Sequence, residues 1–307
     1  MDNLSHLISL LAPQGTVDLH CSFSGHWVED HLQAEPGRLP YHVILNGQGR
    51  LVLGDKQWLL SPGDVLLLPG GAPHRLKGLF EEGPLALRVS HHNGVVMKQV
   101  SVGEGPVLEM LCGEFWVAPS GALLLTGSPE LLRVRTAERP DCEGLRSLVA
   151  MLGRESASSQ PGSSAIVREL STTLFTLLLR ALVTEAEPTP GLLTLLANAR
   201  LAPAVGAVLA EPWENWTLER LAEQCHLSRA TFARYFGRCT SLTPQEWVTQ
   251  VRMTLAARLL SQGPQPIGQV AEQCGYLSQA AFSRAFKLHH GLSPGWYRRQ
   301  QQAPAPR

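Results

Sequence analysis

An internal repeat in the last third of the chain limits the possible folds more than any other feature. Residues 222–236 read Ala-Glu-Gln-Cys, two further residues, and then Ser-x-Ala-x-Phe-x-Arg-x-Phe. Residues 271–286 read Ala-Glu-Gln-Cys, three further residues, and then the same Ser-x-Ala-x-Phe-x-Arg-x-Phe. Self-similarity of this kind predicts two copies of one small supersecondary unit.

Each copy has the pattern of two short helices joined by a tight turn. Thr217 and Ser228 are placed to cap the first and second helix of the first copy. Ala222 is small enough for the two helices to cross closely, and Phe232 and Phe236, four residues apart, face inward. The second copy repeats this arrangement with Ala271, Ser278, Phe282 and Phe286.

The outward face of each second helix has side chains suited to a DNA major groove. Arginine matches guanine edges, glutamine matches adenine, and alanine lets the backbone approach. The predicted base-reading residues are Arg229, Ala230, Ala233, Arg234, Gln279, Ala280, Ser283 and Arg284. We expect Arg252 and Arg298 to contact phosphates.

Charge is distributed unevenly along the 307 residues, although the formal net charge is zero. Residues 195–307 hold 12 basic and 6 acidic side chains, so the remaining residues carry the balancing acidic surplus. This asymmetry indicates a polyanionic partner for the C-terminal part, which a solvated basic face would explain equally well.

No feature indicates secretion or membrane insertion. The six cysteines are scattered without a CxxC pair, which is not the pattern of a secreted disulfide scaffold. The first residues lack a basic region and a cleavage site, and the apolar stretch 174–183 is too short to span a bilayer. We therefore expect a cytoplasmic protein without a membrane partner.

The chain divides into a β-rich first part and a helical second part. Short apolar runs alternate with turn residues from Val17 to about Val134, which suits a small antiparallel barrel or jelly roll. Helices are predicted over 143–154 and 165–185, followed by a Pro-containing linker at 187–191. The wide apolar face of the long helix packs on its own barrel or forms a dimer seam, and we favour the seam.

The repeat region resembles the DNA-binding domain of the AraC/XylS family over about residues 197–299. The motifs that carry the resemblance are Trp-Thr-Leu-Glu-x-Leu-Ala at 216–222, the two repeat copies, and Gly-x-Ser-Pro-x-x-Tyr-Arg at 291–298. Ser241 departs from the glycine that is usual before Thr-Pro in the family. The resemblance implies two helix-turn-helix units on successive major-groove faces of promoter DNA, homodimers on repeated sites, and recruitment of RNA polymerase.

The first part resembles the cupin-like sensor domain that precedes many AraC-type DNA-binding domains. Pro69-Gly70-Gly71-Ala72-Pro73-His74 fits the second cupin motif, whose histidine is a metal ligand in some members. The paired HxH of the first motif is missing, since His42 stands alone on its strand. The predicted fold is thus α+β, with a cupin-like sensor at 1–137, a helical dimerisation and linker segment at 138–196, and a DNA-binding domain at 197–302.

The segments 1–5 and 12–16, together with Cys21, are similar to the AraC-type regulators that sense reactive chlorine. This resemblance implies that oxidation of Cys21 activates the protein in a stress response. The segment 84–88 lacks the cysteine that the resemblance implies as a partner. Cys112 is the substitute candidate, although no sequence feature places it near Cys21.

Three interpretations of Cys21 stay open. It is a redox thiol, activated by the neighbouring His20 or a metal. Alternatively, Cys21, His42 and His74 hold a zinc ion with one open position. The third interpretation is an ordinary buried cysteine beside structural histidines. The first two are compatible, because oxidation of a zinc-bound thiolate releases a ligand.

These features favour a transcription regulator, and specifically an activator that responds to an oxidant, a metal or a small ligand. The alternative from another class is a cupin metalloenzyme with an accessory DNA-binding domain. The missing HxH pair counts against it, so no enzymatic activity is expected. An architectural DNA-binding protein is disfavoured because it has no need for an enclosed barrel.

Overall fold

The computed structural model describes residues 1–125, 127–184 and 191–302. Two compact units are present, one comprising 13–116 with 129–187 and the other comprising 1–12, 117–128 and 188–307. The predicted linker residues 187–190 and the last residue of the predicted long helix, Glu185, lie outside the described residues. Within the described part, no helix combines the length and the hydropathy needed to cross a membrane.

The barrel unit contains twelve strands among its described residues, and their spacing follows the turn residues of the sequence. They are β1 (Gln14–Gly15), β2 (Leu19–Phe23), β3 (Val28–His31), β4 (Arg38–Asn46), β5 (Gly49–Leu53), β6 (Lys56–Leu60), β7 (Asp64–Leu67), β8 (His74–Lys77), β9 (Arg88–His92), β10 (Met97–Ser101), β11 (Leu108–Trp116) and β12 (Leu132–Arg135).

Two sheets face each other and enclose the core of this unit. The larger has the order β12-β7-β4-β11-β2-β10-β9, with β1 added on β11, and the smaller has the order β3-β8-β5-β6. Inward side chains of both sheets form one apolar cluster that includes Phe23, Ile44, Leu51, Leu76 and Met110. The α+β fold class is confirmed, but the expectation of a wholly antiparallel barrel is wrong because β10 runs parallel to β2.

The long helix of the barrel unit packs on its own barrel. Helix α3 (Glu143–Ala157) and the helix Ser163–Val183, labelled α4 below, form a pair against the sheet. Gly15 lies so close to α4 that a Cβ added to it would be 2.5 Å from the carbonyl carbon of Ser171. Packing on its own barrel therefore accounts for most of the apolar face of α4, since Leu174 and Leu178 are fully buried. Ile166 stays 42% exposed, and a dimer seam remains a prediction.

The second unit is helical. Its helices are α1 (Asn3–Leu11), α2 (Pro119–Leu124), α5 (Leu192–Ala197), α6 (Ala202–Ala210), α7 (Leu218–Gln224), α8 (Arg229–Cys239), α9 (Pro244–Gln262), α10 (Ile267–Gln273), α11 (Gln279–His290) and α12 (Pro294–Gln302). The predicted caps are confirmed, because Thr217, Ser228 and Ser278 each accept a hydrogen bond from the amide three residues on.

Two short helices from the first half of the sequence belong to this helical unit. Helix α1 packs on α6 and α9, and α2 also packs on α9. The buried face of α1 consists of Leu7, Leu10 and Leu11, and the side-chain amide of Asn3 donates to the Ala202 carbonyl at 2.9 Å. The structural units therefore differ from the predicted division at residue 137, which assigned 1–12 and 117–128 to the sensor.

Candidate functional site

Helices α8 and α11 present the same pattern of exposed and buried side chains. Phe232 and Phe236 are buried on α8, as Phe282 and Phe286 are on α11. The residues predicted to read bases lie on the opposite face of each helix. Six of them are exposed and two are half-buried: Arg229, Ala230, Arg234, Gln279, Ala280 and Arg284, then Ala233 and Ser283. This face of each helix is therefore open to a ligand.

Arg229 and Arg234 differ in what they contact. The Arg229 guanidinium donates to Glu219 Oε1 at 2.6 Å, and both side chains are more than half exposed. An exposed ion pair of this kind is weak, so DNA phosphates or base edges can replace it. The Arg234 guanidinium lies 5.6 Å from the ring centroid of Tyr235. Arg234 is thus oriented by an aromatic face while its donors point to solvent.

The structure does not support the predicted phosphate contact of Arg252. Its Nε donates to the Pro212 carbonyl and its Nη2 to the Glu214 carbonyl, both at 2.8 Å. Burial lowers the pKa of this guanidinium. Arg252 instead ties the loop before α7 to α9. Arg298 also donates to a backbone carbonyl, that of Gln265, and is half-buried.

Three histidines meet inside the barrel, and they come from both sheets. His42 lies on β4, while His31 and His74 lie opposite each other on the paired strands β3 and β8. One ring nitrogen from each lies within 4.8 Å of the others. The rings of His31 and His74 stack with centroids 4.5 Å apart, and His42 is edge-on to both. We call these residues the histidine triad.

Hydrogen bonds define which nitrogen of His74 and of His42 carries a proton. His74 Nδ1 is 2.8 Å from the Ala72 carbonyl, which only accepts, so this nitrogen donates. In the neutral ring His74 Nε2 then accepts from His42 Nε2, at 2.8 Å. His42 Nδ1 is consequently an acceptor, and the Cys112 thiol, 3.1 Å away, donates to it.

The triad is held in the neutral form that binds metals. Burial lowers the pKa of all three rings, that of His74 among them, and it lowers the pKa of His31 to about 4 and that of His42 well below its ordinary value. The neighbouring histidines lower the first two further, since each charged ring would repel the next. Neutral imidazole is the commonest metal ligand in proteins.

The fit of a metal ion can be tested on an atom of His31. Its Nε2 is buried and has no hydrogen-bond partner among the residues that the structure describes. A tetrahedral zinc with imidazole nitrogens at ~2.0–2.1 Å would hold them about 3.4 Å apart. The spacings of the triad, from 2.8 Å up to 4.8 Å, lie on both sides of that value. The residues present therefore fit such an ion.

The structure corrects the third ligand of the predicted zinc set. His42 and His74 come together, but His31 joins them in the described metal-ligand cluster and Cys21 does not. Cys21 lies fully buried in the apolar core. His31 stands in a short polar strand with no motif around it, so no signal in the sequence identified it.

His20 does not face Cys21, so it is not the activating group that one interpretation offered. Successive residues of β2 point to opposite faces, and His20 Nδ1 faces Ser156 Oγ of α3 at 3.5 Å. Cys112 is the thiol beside the triad, because it stands directly opposite His42 in the β11–β4 register. A hydrogen bond with Cys21 and burial raise the pKa of Cys112, so its thiol is neutral.

A cavity of about 530 Å³ connects the triad to the surface of the barrel unit. His31, His42 and Cys112 line its inner end. Four acidic residues and one arginine also line it: Asp18, Asp30, Glu35, Glu114 and Arg38. The acidic excess favours the entry of cations.

A second cavity, of about 590 Å³, lies between the outer face of the sheet and α3. Its lining includes the apolar residues Leu45, Val149 and Ala150 and the charged residues Glu109 and Arg154.

Comparison with known proteins covers both units. Residues 2–184 match the family described as Cupin, and residues 221–300 match the family described as Helix-turn-helix domain. An HTH-type transcriptional regulator from Haemophilus influenzae is 32% identical over 97% of this chain and 99% of its own length. The RCS-specific HTH-type transcriptional activator RclR from Escherichia coli is 30% identical over the full length of both chains.

Among solved structures, the chain is similar to ToxT from Vibrio cholerae with bound unsaturated fatty acid. The likeness covers 96% of this chain and 98% of that one, at 14% identity and a TM-score of 0.39.

Proposed function

The chain belongs to the AraC-type transcriptional regulators that combine a Cupin domain with a helix-turn-helix domain, and from this premise we propose how it reads DNA and what its barrel senses. It is a DNA-binding transcription regulator rather than an enzyme, as its full-length relatives are. The relatives therefore favour a regulator over the metalloenzyme alternative.

We propose that α8 and α11 each enter a major groove of promoter DNA. The observation that carries this proposal is the shared pattern of the two capped helices, with phenylalanines buried and arginine, glutamine and alanine exposed. Arg229, Arg234, Gln279 and Arg284 read base edges, and the small side chains let the backbone approach. We further propose that the chain acts in the cytoplasm as a homodimer on repeated half-sites. There it would recruit RNA polymerase as an activator.

Replacing the two matched arginines tests the proposed DNA contacts. We expect Arg234→Ala together with Arg284→Ala to weaken binding to a selected DNA site by about thirtyfold to 10⁴-fold, because each of the two base contacts contributes about 1–3 kcal/mol. The site is first selected from a random DNA library with the wild-type chain. Fluorescence anisotropy at physiological salt then measures the affinity of both proteins.

Arg168→Ala is the matched control for this experiment. Arg168 is an exposed arginine on α4 of the barrel unit, so its replacement removes one arginine charge at a position outside α8 and α11. Its DNA affinity is expected to equal that of the wild type. Unchanged affinity of the double variant would show that these helices do not carry recognition.

We propose that the histidine triad holds a zinc ion. The unpartnered Nε2 of His31, the neutral state of the three rings and the acidic cavity support this proposal. A bound zinc would link the two sheets and keep one coordination position open toward the cavity. His31, His42 and His74 would each supply one nitrogen, and the proton of His42 would move from Nε2 to Nδ1, which faces Cys112 Sγ. The Ala72 carbonyl would orient His74 through its other nitrogen.

Metal content per chain tests the zinc proposal and separates the two ligand sets. Protein purified under reducing conditions is expected to contain about one zinc per chain, as in three-histidine sites. His31→Ala is expected to lose most of it, whereas Cys21→Ser is expected to keep it. If Cys21→Ser lost the zinc and His31→Ala kept it, the ligand set predicted from the sequence, with Cys21 as the third ligand, would be correct. A metal-free wild type would remove the proposal.

We propose an oxidant as the signal for the barrel. The support is the full-length similarity to a relative named as a reactive-chlorine-specific activator, together with thiols beside the triad. The test is the DNA affinity of the wild type before and after stoichiometric hypochlorous acid. We expect the affinity or the length of the DNA footprint to change. An unchanged complex would contradict an oxidant signal.

A further inference from the structure

Strand β9 is the terminal strand of the larger sheet among the strands that the structure describes. All five of its residues, Arg88–His92, are exposed, a pattern that no other described strand shows. A strand in a small barrel usually buries one face, because alternate side chains pack against the opposite layer. The two faces and the outer edge of β9 are thus all open to water.

The apolar residue of β9 lies on the outer face of the sheet. Val89 stands opposite Val100 of β10, and Val100 stands opposite Ser22 of β2. Ser22 and His20 are two residues apart on β2 and therefore share a face. Since His20 is directed toward α3, Val89 lies on the same face of the sheet that α3 covers further along.

This uncovered part of the outer face carries a cluster of large apolar side chains. Leu85 and Leu87 precede Val89 at two-residue intervals, and Val102 follows Val100 in the same way. The exposed fractions are 63% for Leu85, 88% for Leu87, 63% for Val89 and 78% for Val102. We call these four residues the β9 patch. Adjacent exposed apolar side chains of this kind mark interaction surfaces.

The edge of β9 lacks the devices that usually prevent a strand from pairing with another chain, which are outward charges, prolines and bulges. Its one arginine, Arg88, is turned toward its own barrel. The guanidinium donates to the Val28 carbonyl at 2.9 Å, pairs with Glu29 and lies 5.1 Å from the ring centroid of Phe23. The five residues of β9 pair with β10 in an unbroken register. The outer edge is therefore prepared to accept a further strand.

A second copy of the chain is the partner that these observations favour. Most of the apolar face of α4 is buried against its own barrel, with Leu174 and Leu178 fully buried. A homodimer then needs another apolar surface, and the β9 patch provides one. An antiparallel strand pair has a two-fold axis perpendicular to the sheet, so one strand can serve as both halves of a symmetric interface.

We propose that the β9 patch is the homodimer surface, and that β9 of a second copy adds antiparallel to β9 and joins the two larger sheets. The inference rests on the homodimer of the proposed function. It assigns the contact between the copies to a sheet edge, whereas the sequence favoured a seam along α4.

The side chains select one register for this pairing. A two-fold axis through Leu87 sets Leu87 opposite its own copy and Leu85 opposite Val89 of the second copy, so that three apolar pairs meet on the outer face. An axis through Arg88 would instead set two guanidinium groups opposite each other, which destabilises a strand pair. An axis through Val89 would replace two of the apolar pairs by contacts of Leu87 with His91.

The test measures the association of the full-length chain by sedimentation velocity without DNA. We expect the wild type to be a dimer at about 10 μM and Leu87→Arg to raise the dimer dissociation constant at least about a hundredfold. The reason is that two arginines would meet at the axis inside an apolar contact. Leu87 is 88% exposed within one chain, so its replacement is not expected to change the melting temperature of the monomer.

Leu59→Arg is the matched control, because Leu59 is 51% exposed on β6, the edge strand of the smaller sheet. Ile166→Arg tests the seam on α4. Both variants are expected to dimerise as the wild type does. Dissociation of the dimer by Ile166→Arg, or a dimer of Leu87→Arg with the wild-type dissociation constant, would overturn the proposal.

Hydrogen exchange of the wild type provides a second measurement that needs no variant. Amides of residues 87–91 are expected to exchange more slowly as the protein concentration rises, whereas amides of β6 are expected to exchange at a constant rate. Exchange in β9 that does not depend on concentration would overturn the proposal.

The outcomes also separate this inference from the proposed function. A dimeric wild type whose Leu87→Arg variant stays dimeric keeps the homodimer and overturns the β9 surface. A wild type that is monomeric at 100 μM, roughly a thousandfold above the dissociation constants of ordinary stable dimers, overturns both. The DNA contacts of α8 and α11 are tested separately by the arginine variants.

Discussion

The three imidazoles of the triad show how burial decides the state of a single side chain. An exposed histidine titrates near pH 6.5, but His31, His42 and His74 lie inside a barrel and next to each other. A proton on any of them would be poorly solvated and would repel its neighbours. The rings are therefore prepared for a cation by the fold itself, before any ligand arrives.

The pH dependence of stability follows from His31. Its pKa is about 4 in the folded chain and 6.5 ordinarily, so between these values the unfolded chain binds the additional proton. The His31 contribution to the free energy of unfolding is fully present above pH 6.5 and is lost as the pH falls toward 4. Between pH 7.5 and 5, urea unfolding of the metal-free wild type should lose about 1–2 kcal/mol more than His31→Asn does.

His91→Asn is the control for this titration, because His91 is an exposed histidine on β9. Its unfolding is expected to depend on pH as in the wild type. An equal pH dependence in His31→Asn and the wild type would contradict the role assigned to burial.

At the scale of elements, the two helix-turn-helix copies differ in how they make the same turn. His226 in the first copy and Gly275 in the second both have positive φ, of 53° and 76°. The second turn is one residue longer and passes close to Trp213, whose carbonyl oxygen would lie 2.5 Å from a Cβ at position 275. Only glycine fits there, whereas the first copy accepts a histidine.

Gly275→Ala should therefore destabilise the helical unit by roughly 2 kcal/mol or more, since it adds left-handed strain to a collision with backbone. Gly237→Ala, in the exposed face of α8, meets no atom within 4 Å. It is expected to be neutral or to stabilise by about 0.5–1 kcal/mol. Thermal unfolding of the two variants measures the difference, and equal melting temperatures would contradict this account.

At the scale of the whole molecule, the helical unit is assembled from segments that are distant in sequence. Leu7 and Leu11 of α1 are buried, and Arg258 of α9 donates to the Ser9 carbonyl. The first twelve residues thus contribute to the stability of the helical unit, although they precede the barrel in the sequence.

Leu7→Ala is expected to destabilise the helical unit by about 2–4 kcal/mol, as do other deletions of fully buried leucines. Hydrogen exchange should show faster opening of α6 and α9, with the barrel strands unchanged. Ser9→Ala is the control, because Ser9 is exposed and its backbone carbonyl is retained. Faster exchange in the barrel strands with unchanged exchange in α9 would contradict the assignment of α1.

Local sequence patterns were sufficient to predict the two helix-turn-helix units, their caps and the outward faces of α8 and α11. These features depend on residues three or four positions apart, and helix periodicity places such residues on a known face. The triad became evident from the fold alone, because His31, His42 and His74 come from three strands whose pairing no local pattern specifies. For the same reason the sequence did not reveal that His31, and not Cys21, is the third member of the cluster, or that Cys112 contacts Cys21. Nor did it reveal that Arg252 donates to a backbone carbonyl of the same unit, where a phosphate contact was predicted.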